Sequence, residues 1–280
     1  MIFNQQEYTL LALAYCRHSE PFMLKYCYQH KENVGMKELY MMTETDLIEI
    51  IERAKDFFRT KIIPNHIART EGCRNLSNFR LNPFLDKYKA NFITGNNEPR
   101  SIAKALIYPR VIGTSLNTIF GNQLQRFCSE VLQGFASTTS GIDIEFIDSI
   151  DSRRKYCQVK AGTNTINKDD IETIKNHFAG VRALARTNNL TIGINDMVVG
   201  VFYGEHEELS GHYRRIEEEY PVIVGAEFWF RLTGHADFYS RITDAIGDVA
   251  SEYDGSELVE SVIDDLTRQI EETLNPEDEE

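Results

Sequence analysis

The chain has 280 residues, of which 42% are hydrophobic and 26% charged, and its formal net charge is −13. That is the composition of an ordinary soluble globular protein, and no apolar run approaches the roughly 20 residues that cross a bilayer, so a membrane partner is not expected. The five cysteines, Cys16, Cys27, Cys73, Cys128 and Cys157, are odd in number and contain no CxxC pair, which argues against a disulfide framework or a zinc site.

The negative mean hides an asymmetry. Residues 51–126 hold 13 Lys and Arg against 5 Asp and Glu, and residues 151–190 hold 8 against 4, whereas residues 205–280 hold 5 against 22. The acidity is therefore C-terminal, and the middle of the chain is free to present a positive face to a polyanion. No basic, apolar and small-residue succession of a signal peptide opens the chain, which predicts a cytoplasmic location.

In chain order, residues 5–16 read as an apolar-rich helix and residues 43–63 as an amphipathic one. In the second, Leu47, Ile50, Ile51, Ala54, Phe57, Phe58 and Ile62 recur at three- and four-residue steps, and Pro64 is expected to end it. Residues 67–100 read as a long irregular stretch punctuated by Gly72, Asn75, Asn82-Pro83-Phe84 and Gly95. A helix is predicted over 116–135. Two strands follow, 141–146 and 156–162, joined by a tight turn at 148–152. Asn167 or Asn164 caps a helix to about residue 185. The nearly continuous apolar run 196–204 predicts a central strand and 221–225 a short one. Helices occupy most of the remainder, and the acidic residues 275–280 are expected to fray. This order predicts a mixed sheet flanked by helices.

The chemistry concentrates on the two paired strands. Alternation places Asp143 and Glu145 on one face with Ile142, Ile144 and Phe146 opposite, and Gln158 and Lys160 on one face with Cys157 and Val159 opposite. Two carboxylates, an amide and an ammonium on one hairpin suit a divalent cation beside a phosphate. An acid in an apolar strand is costly to bury unless paired or metal-bound. A structural salt bridge from Asp143 to Lys160 is the simpler alternative. Mg²⁺, hard and oxygen-seeking, is the natural ion.

These residues resemble the PD-(D/E)XK nuclease superfamily, and more specifically the type II restriction endonucleases that cut GGNCC-type sites. The resemblance rests on Asn82-Pro83-Phe84, Gly141-Ile142-Asp143-Ile144-Glu145, Gln158-Val159-Lys160-Ala161-Gly162, the run from Val198 to Gly204 and Glu227-Phe228-Trp229, and covers roughly residues 80–235. It implies a restriction-endonuclease-like α/β fold, with a helical N-terminal region (1–90), a nuclease core (91–235) and a helical, acidic C-terminal region (236–280). It also implies Mg²⁺-dependent hydrolysis of both strands of duplex DNA by a homodimer, within a restriction–modification system. Carried over by position, Asp143 binds the metal and Lys160 is the pattern's lysine. Gln158 stands where the pattern has Asp or Glu, and its amide brings an oxygen but no charge. Glu145 is expected to compensate as a further metal ligand, with Glu130 in reserve. Lys155, Asn164 and Lys168 are the expected DNA contacts, with Arg153, Arg154 and Thr165 beside them. Base-reading residues are sought among Arg69, Arg74, Arg80, Lys87, Lys89 and Arg100. His177 and His212 read as structural or surface histidines. A repair or junction-resolving nuclease of the same fold, or a catalytically inactive DNA-binding relative, are the alternatives.

Overall fold

Where the sequence alternates, the sheet forms. The computed structural model describes residues 41–274, so the helix expected at residues 5–16, Cys16, Cys27 and the acidic residues 275–280 lie outside the described residues. Two compact units interleave along the chain: one takes residues 124–245 with the described part of 1–54, the other residues 55–123 with the described part of 246–280.

Thr43 and Asp46 cap helix α1 (Glu44–Phe57): the Thr43 N–H donates to Asp46 Oδ2 at 3.0 Å and the Asp46 N–H to Thr43 Oγ1 at 3.3 Å. Pro64 does not end the helical run. A π-helical turn (Phe58–Ile62) lets the Ile63 N–H reach back to the Phe58 carbonyl, and Pro64 falls directly after it, in the first turn of α2 (Ile63–Glu71).

The stretch expected to be irregular is largely helical, with α3 (Asp86–Thr94) and α4 (Pro99–Tyr108). Its Gly and Asn residues are caps rather than loop formers. Asn82 Oδ1 accepts from the Phe84 N–H at 3.0 Å, Gly95 closes α3 at φ 79°, and Asn96 Oδ1 accepts from the Glu98 N–H at 3.1 Å just before Pro99 opens α4. Helix α5 (Leu116–Glu130) stops five residues short of the predicted end, and a 3₁₀ turn (Gln133–Phe135) follows.

In the first unit, β1 (Ile144–Ile147) pairs antiparallel with β2 (Arg154–Lys160), which continues in parallel to β3 (Met197–Val201) and β4 (Val222–Val224) in the order β1-β2-β3-β4. The parallel crossovers are made by α6 (Lys168–Thr187), which Asn167 caps with a reciprocal bond to Asp170, and α7 (Gly211–Glu217). On one face of the sheet Met197, Val199, Val201, Val222 and Val224 meet Ile174, Phe178 and Val181 of α6 and Tyr213 and Ile216 of α7. The other face meets α8 (Gly225–Thr233), whose Trp229 donates its indole N–H to the Phe202 carbonyl at 3.0 Å, within a ring cluster of Phe127, Phe202, Phe228 and Phe238. The sheet is thus mixed and flanked by helices on both faces, as the sequence predicts. Helix α9 (Phe238–Ala250) follows.

At Gly200 the Phe228 ring of α8 lies close over β3. A Cβ there would overlap the Phe228 ring and lie 2.9 Å from Cys157 Sγ. Gly200→Ala is expected to lower stability by about 1–3 kcal/mol through overpacking, read as a lower urea midpoint.

In the second unit, α10 (Ser256–Leu274) buries Val262, Ile263, Leu266 and Ile270 against Ala90, Ile102, Ala103 and Ile107. Its acids face basic partners: Asp265 takes Arg74 at 2.7 Å, and Glu260 and Asp264 both pair with Arg100. With Lys89 paired to Asp86 at 3.1 Å, three of the six basic residues in the expected base-reading pool are already neutralised. No helix among the described residues is long and apolar enough to cross a membrane.

Candidate active site

The hairpin turn is locked from within. Asp148 accepts from the Ile150 N–H at 2.9 Å, the Ser152 N–H reaches the Asp148 carbonyl at 2.8 Å, and Ser152 takes φ 57°. This fixes the register in which Ile144 faces Cys157 and Glu145 faces Tyr156. Opposite residues share a face, so one step further along the ladder Asp143 meets Gln158.

Asp143 itself lies just before β1 and caps the ladder. Its N–H donates to the Cys157 carbonyl at 3.0 Å, and its Oδ2 accepts the Val159 N–H at 2.7 Å. The carboxylate thus takes the rung that a longer β1 would have filled, and its Oδ1 makes no hydrogen bond among the described residues. Burial pushes the Asp143 carboxyl above its ordinary range, opposed by the Val159 N–H and by the charge of Lys160. The Asp143–Lys160 salt bridge does not form within 4.0 Å. Lys160, half-buried at the end of β2, has no ion pair among the described residues.

Gln158, 4% exposed, is held by a residue from the opposite helix: His177 of α6 lies with Nδ1 2.7 Å from the Gln158 amide nitrogen. His177 was read from the sequence as an ordinary histidine. The signal that would have placed it is the buried stripe Ile174, Phe178, Val181 and Ala185, which seats this face of α6 on the sheet and brings position 177 over β2.

Glu145 is engaged with other partners. One carboxylate oxygen accepts from Ser137 Oγ at 2.6 Å and Thr139 Oγ1 at 3.0 Å, and the other takes Arg154 at 3.0 Å. Burial works against the charge, yet the Ser137, Arg154 and Thr139 bonds hold its carboxyl below the usual range. It shares no partner with Asp143. An open cleft of about 340 Å³ lies beside Glu145 and Arg154, lined also by Phe135 and Thr138, and none of Asp143, Gln158 and Lys160 lines it. The reserve acid, Glu130, pairs with Arg126 at 2.8 Å.

The expected DNA-contacting residues divide sharply. Lys155 is wholly buried on the opposite face of β2. Its ammonium donates to Asp151 at 2.5 Å and to the Asn195 carbonyl at 3.0 Å, with Asp196 at 3.6 Å and Asp148 at 3.8 Å. Enclosed in this way it cannot touch a phosphate, and its placement corrects the expectation. Arg153 is paired with Asp196 and Arg154 with Glu145. Asn164, on the turn that leaves β2 beyond Lys160, and Lys168, the first residue of α6, are exposed. That turn is pinned from below, by Tyr213 donating to the Gly162 carbonyl at 2.9 Å and the Ser210 N–H to the Thr163 carbonyl at 3.0 Å.

Among the described residues, no three or more His, Cys, Asp and Glu side chains gather as a metal cage. The donors at neighbouring positions of the ladder, the Asp143 carboxylate and the Gln158 amide oxygen, are hard oxygens. They suit a cation such as Mg²⁺, which is commonly held by one or two carboxylates with water and phosphate completing the shell.

A family model described as "Type II restriction endonuclease EcoO109I" matches residues 45–254, three quarters of the chain. No curated protein matches.

Proposed function

Since the chain belongs to this family of type II restriction endonucleases, we propose that it hydrolyses phosphodiester bonds in both strands of duplex DNA at a specific site, using Mg²⁺. In this reading it works as a homodimer, in the cytoplasm, within a restriction–modification system. The observation that carries the proposal is the end of the β1–β2 ladder, where one oxygen of Asp143 and the ammonium of Lys160 have no hydrogen-bond or ion-pair partner among the described residues.

Asp143 and Gln158 are the residues that would hold the metal. When bound, Mg²⁺ supplies Lewis-acid polarisation of the phosphoryl group and a more acidic water. Lys160 places a positive charge where the pentacovalent phosphate gains negative charge, and its N–H groups orient the attacking water. The bond formed is water oxygen to phosphorus; the bond broken is phosphorus to the 3′ oxygen, leaving a 5′ phosphate. Asn164 and Lys168 extend this face toward the DNA backbone, where contacts position the duplex without reading it.

Glu145 stays outside the metal set. Glu145→Gln is expected to leave the cutting rate and its Mg²⁺ dependence within about threefold while costing about 1 kcal/mol of stability for the weakened Ser137, Thr139 and Arg154 bonds. A rise of tenfold or more in the Mg²⁺ needed would return Glu145 to the site.

The decisive test is digestion of a long duplex DNA by the purified chain with Mg²⁺, followed by sequencing of the ends. Discrete fragments with 5′ phosphates support the proposal, and a random smear removes site specificity. Preference for branched over linear duplex selects a junction-resolving enzyme. Binding without cleavage under Mg²⁺ or Mn²⁺ selects an inactive relative.

A further inference from the structure

We propose that His177 is a positioning residue that makes Gln158 competent as a cation ligand, by fixing which end of its amide faces outward. The inference rests on the reading of Asp143, Gln158 and Lys160 as a nuclease centre. It concerns how an amide serves in a place where the resemblance leads one to expect an acid.

The two ends of a primary amide are similar in size and opposite in function. The oxygen coordinates a cation, and the NH₂ group presents two donors that repel one. A half-turn about the last side-chain bond exchanges them at little steric cost, so an unguided glutamine would spend much of its time facing the wrong way. A carboxylate has two equivalent oxygens and no such ambiguity.

In this chain a lone pair can resolve the ambiguity. His177 Nδ1 lies 2.7 Å from the Gln158 side-chain amide, and an acceptor there is satisfied only by the NH₂ end. This pairing requires the imidazole to hold its proton on Nε2, and it leaves the Gln158 oxygen, which makes no hydrogen bond among the described residues, directed away from His177. Ligand orientation by an outer partner of this kind is a general means of tuning metal sites.

The ring is itself held in place. Gly141 takes φ +78°, a conformation that favours glycine, and a Cβ there would overlap the His177 ring, lying 2.7 Å from Nδ1. From the helix side, His177 sits between the buried Ile174 and Phe178. Gly141 is two residues from Asp143, so one short segment sets both the carboxylate and the imidazole that orients the second donor.

The test is Mn²⁺ and Mg²⁺ binding to the full-length chain without DNA, by calorimetry, in a double-mutant cycle. His177→Phe keeps a ring against Gly141 but removes the acceptor, and is expected to weaken Mn²⁺ binding about tenfold and raise the Mg²⁺ needed for half-maximal cutting by a similar factor. His177→Gln, which restores an acceptor, is expected to stay within about threefold of the wild type. In a Gln158→Glu background, where no orientation is needed, His177→Phe is expected to cost less than twofold. If His177→Phe does not fold, His177→Leu takes its place with the same expectations. An unchanged affinity in the first variant, or an equal loss in both backgrounds, overturns the inference. Failure of the nuclease reading is seen separately, as absent metal binding in the wild type or affinity insensitive to Asp143→Asn, and takes this inference with it.

Discussion

Asp143→Asn is expected to reduce cutting by at least about 10³-fold without lowering the stability of the fold, while Lys160→Met reduces it by about 10²- to 10³-fold. The two losses should have different signatures. Asparagine can still accept the Val159 N–H that Asp143 Oδ2 accepts at 2.7 Å, so the ladder stays capped and the change removes charge rather than structure. Removing a half-buried charge with no ion-pair partner leaves the urea midpoint unchanged or raises it. What is lost is the single carboxylate of the donor set, so part of the defect should yield to higher Mg²⁺. Lys160→Met leaves the metal donors intact. Its single-turnover rate falls at saturating Mg²⁺, and the concentration giving half that rate does not move. Either variant retaining a tenth or more of the wild-type rate at ordinary Mg²⁺ removes that residue from the centre.

The strand that follows Asp143 and the strand that carries Lys160 were legible because a period of two is strong over short, apolar-flanked segments. The same rule bears on Lys155, which shares parity with Cys157 and Val159, so alternation alone places it on the buried face. Its acidic partners were harder to foresee. Asp151 is four residues away, but Asp196 comes from the far side of a crossover helix, and long-range pairing of this kind leaves no local mark. The fate of Glu145 was hidden for the same reason, since Ser137 and Thr139 lie between the predicted helix and the predicted strand and reach it only because the segment before β1 folds back along the strand. In residues 67–100 the error had another origin. Gly and Asn signal a break in the chain, but the break between two short helices and the break inside a loop use the same residues, and only the bonds of Asn82, Asn96 and Gly95 distinguish them.

Lys155→Met should destabilise the fold by about 3 kcal/mol, the lower end of the range for breaking a buried charge cluster. Methionine replaces most of the volume, so the cost is electrostatic: Asp148, wholly buried, and Asp196, nearly so, lose a shared cation. The loss is moderated because Asp148 keeps Arg231 at 2.6 Å, Asp196 keeps Arg153, and Asp151 is exposed enough to rehydrate. Burial works against the Asp196 charge, but Arg153, the Gly193 N–H and Lys155 together hold its carboxyl below the usual range. A carboxyl lowered in the folded state contributes stability that is present above its unfolded value, about pH 4, and is lost as the pH falls through the folded value. The gap between wild type and variant should therefore be full at neutral pH and close below about pH 4, as urea midpoints across that range would show. A lysine serving the DNA backbone behaves in the opposite way: its loss leaves the midpoint unchanged and weakens DNA binding with a shallower salt dependence. That outcome would require the hairpin turn to open and expose Lys155 in the complex.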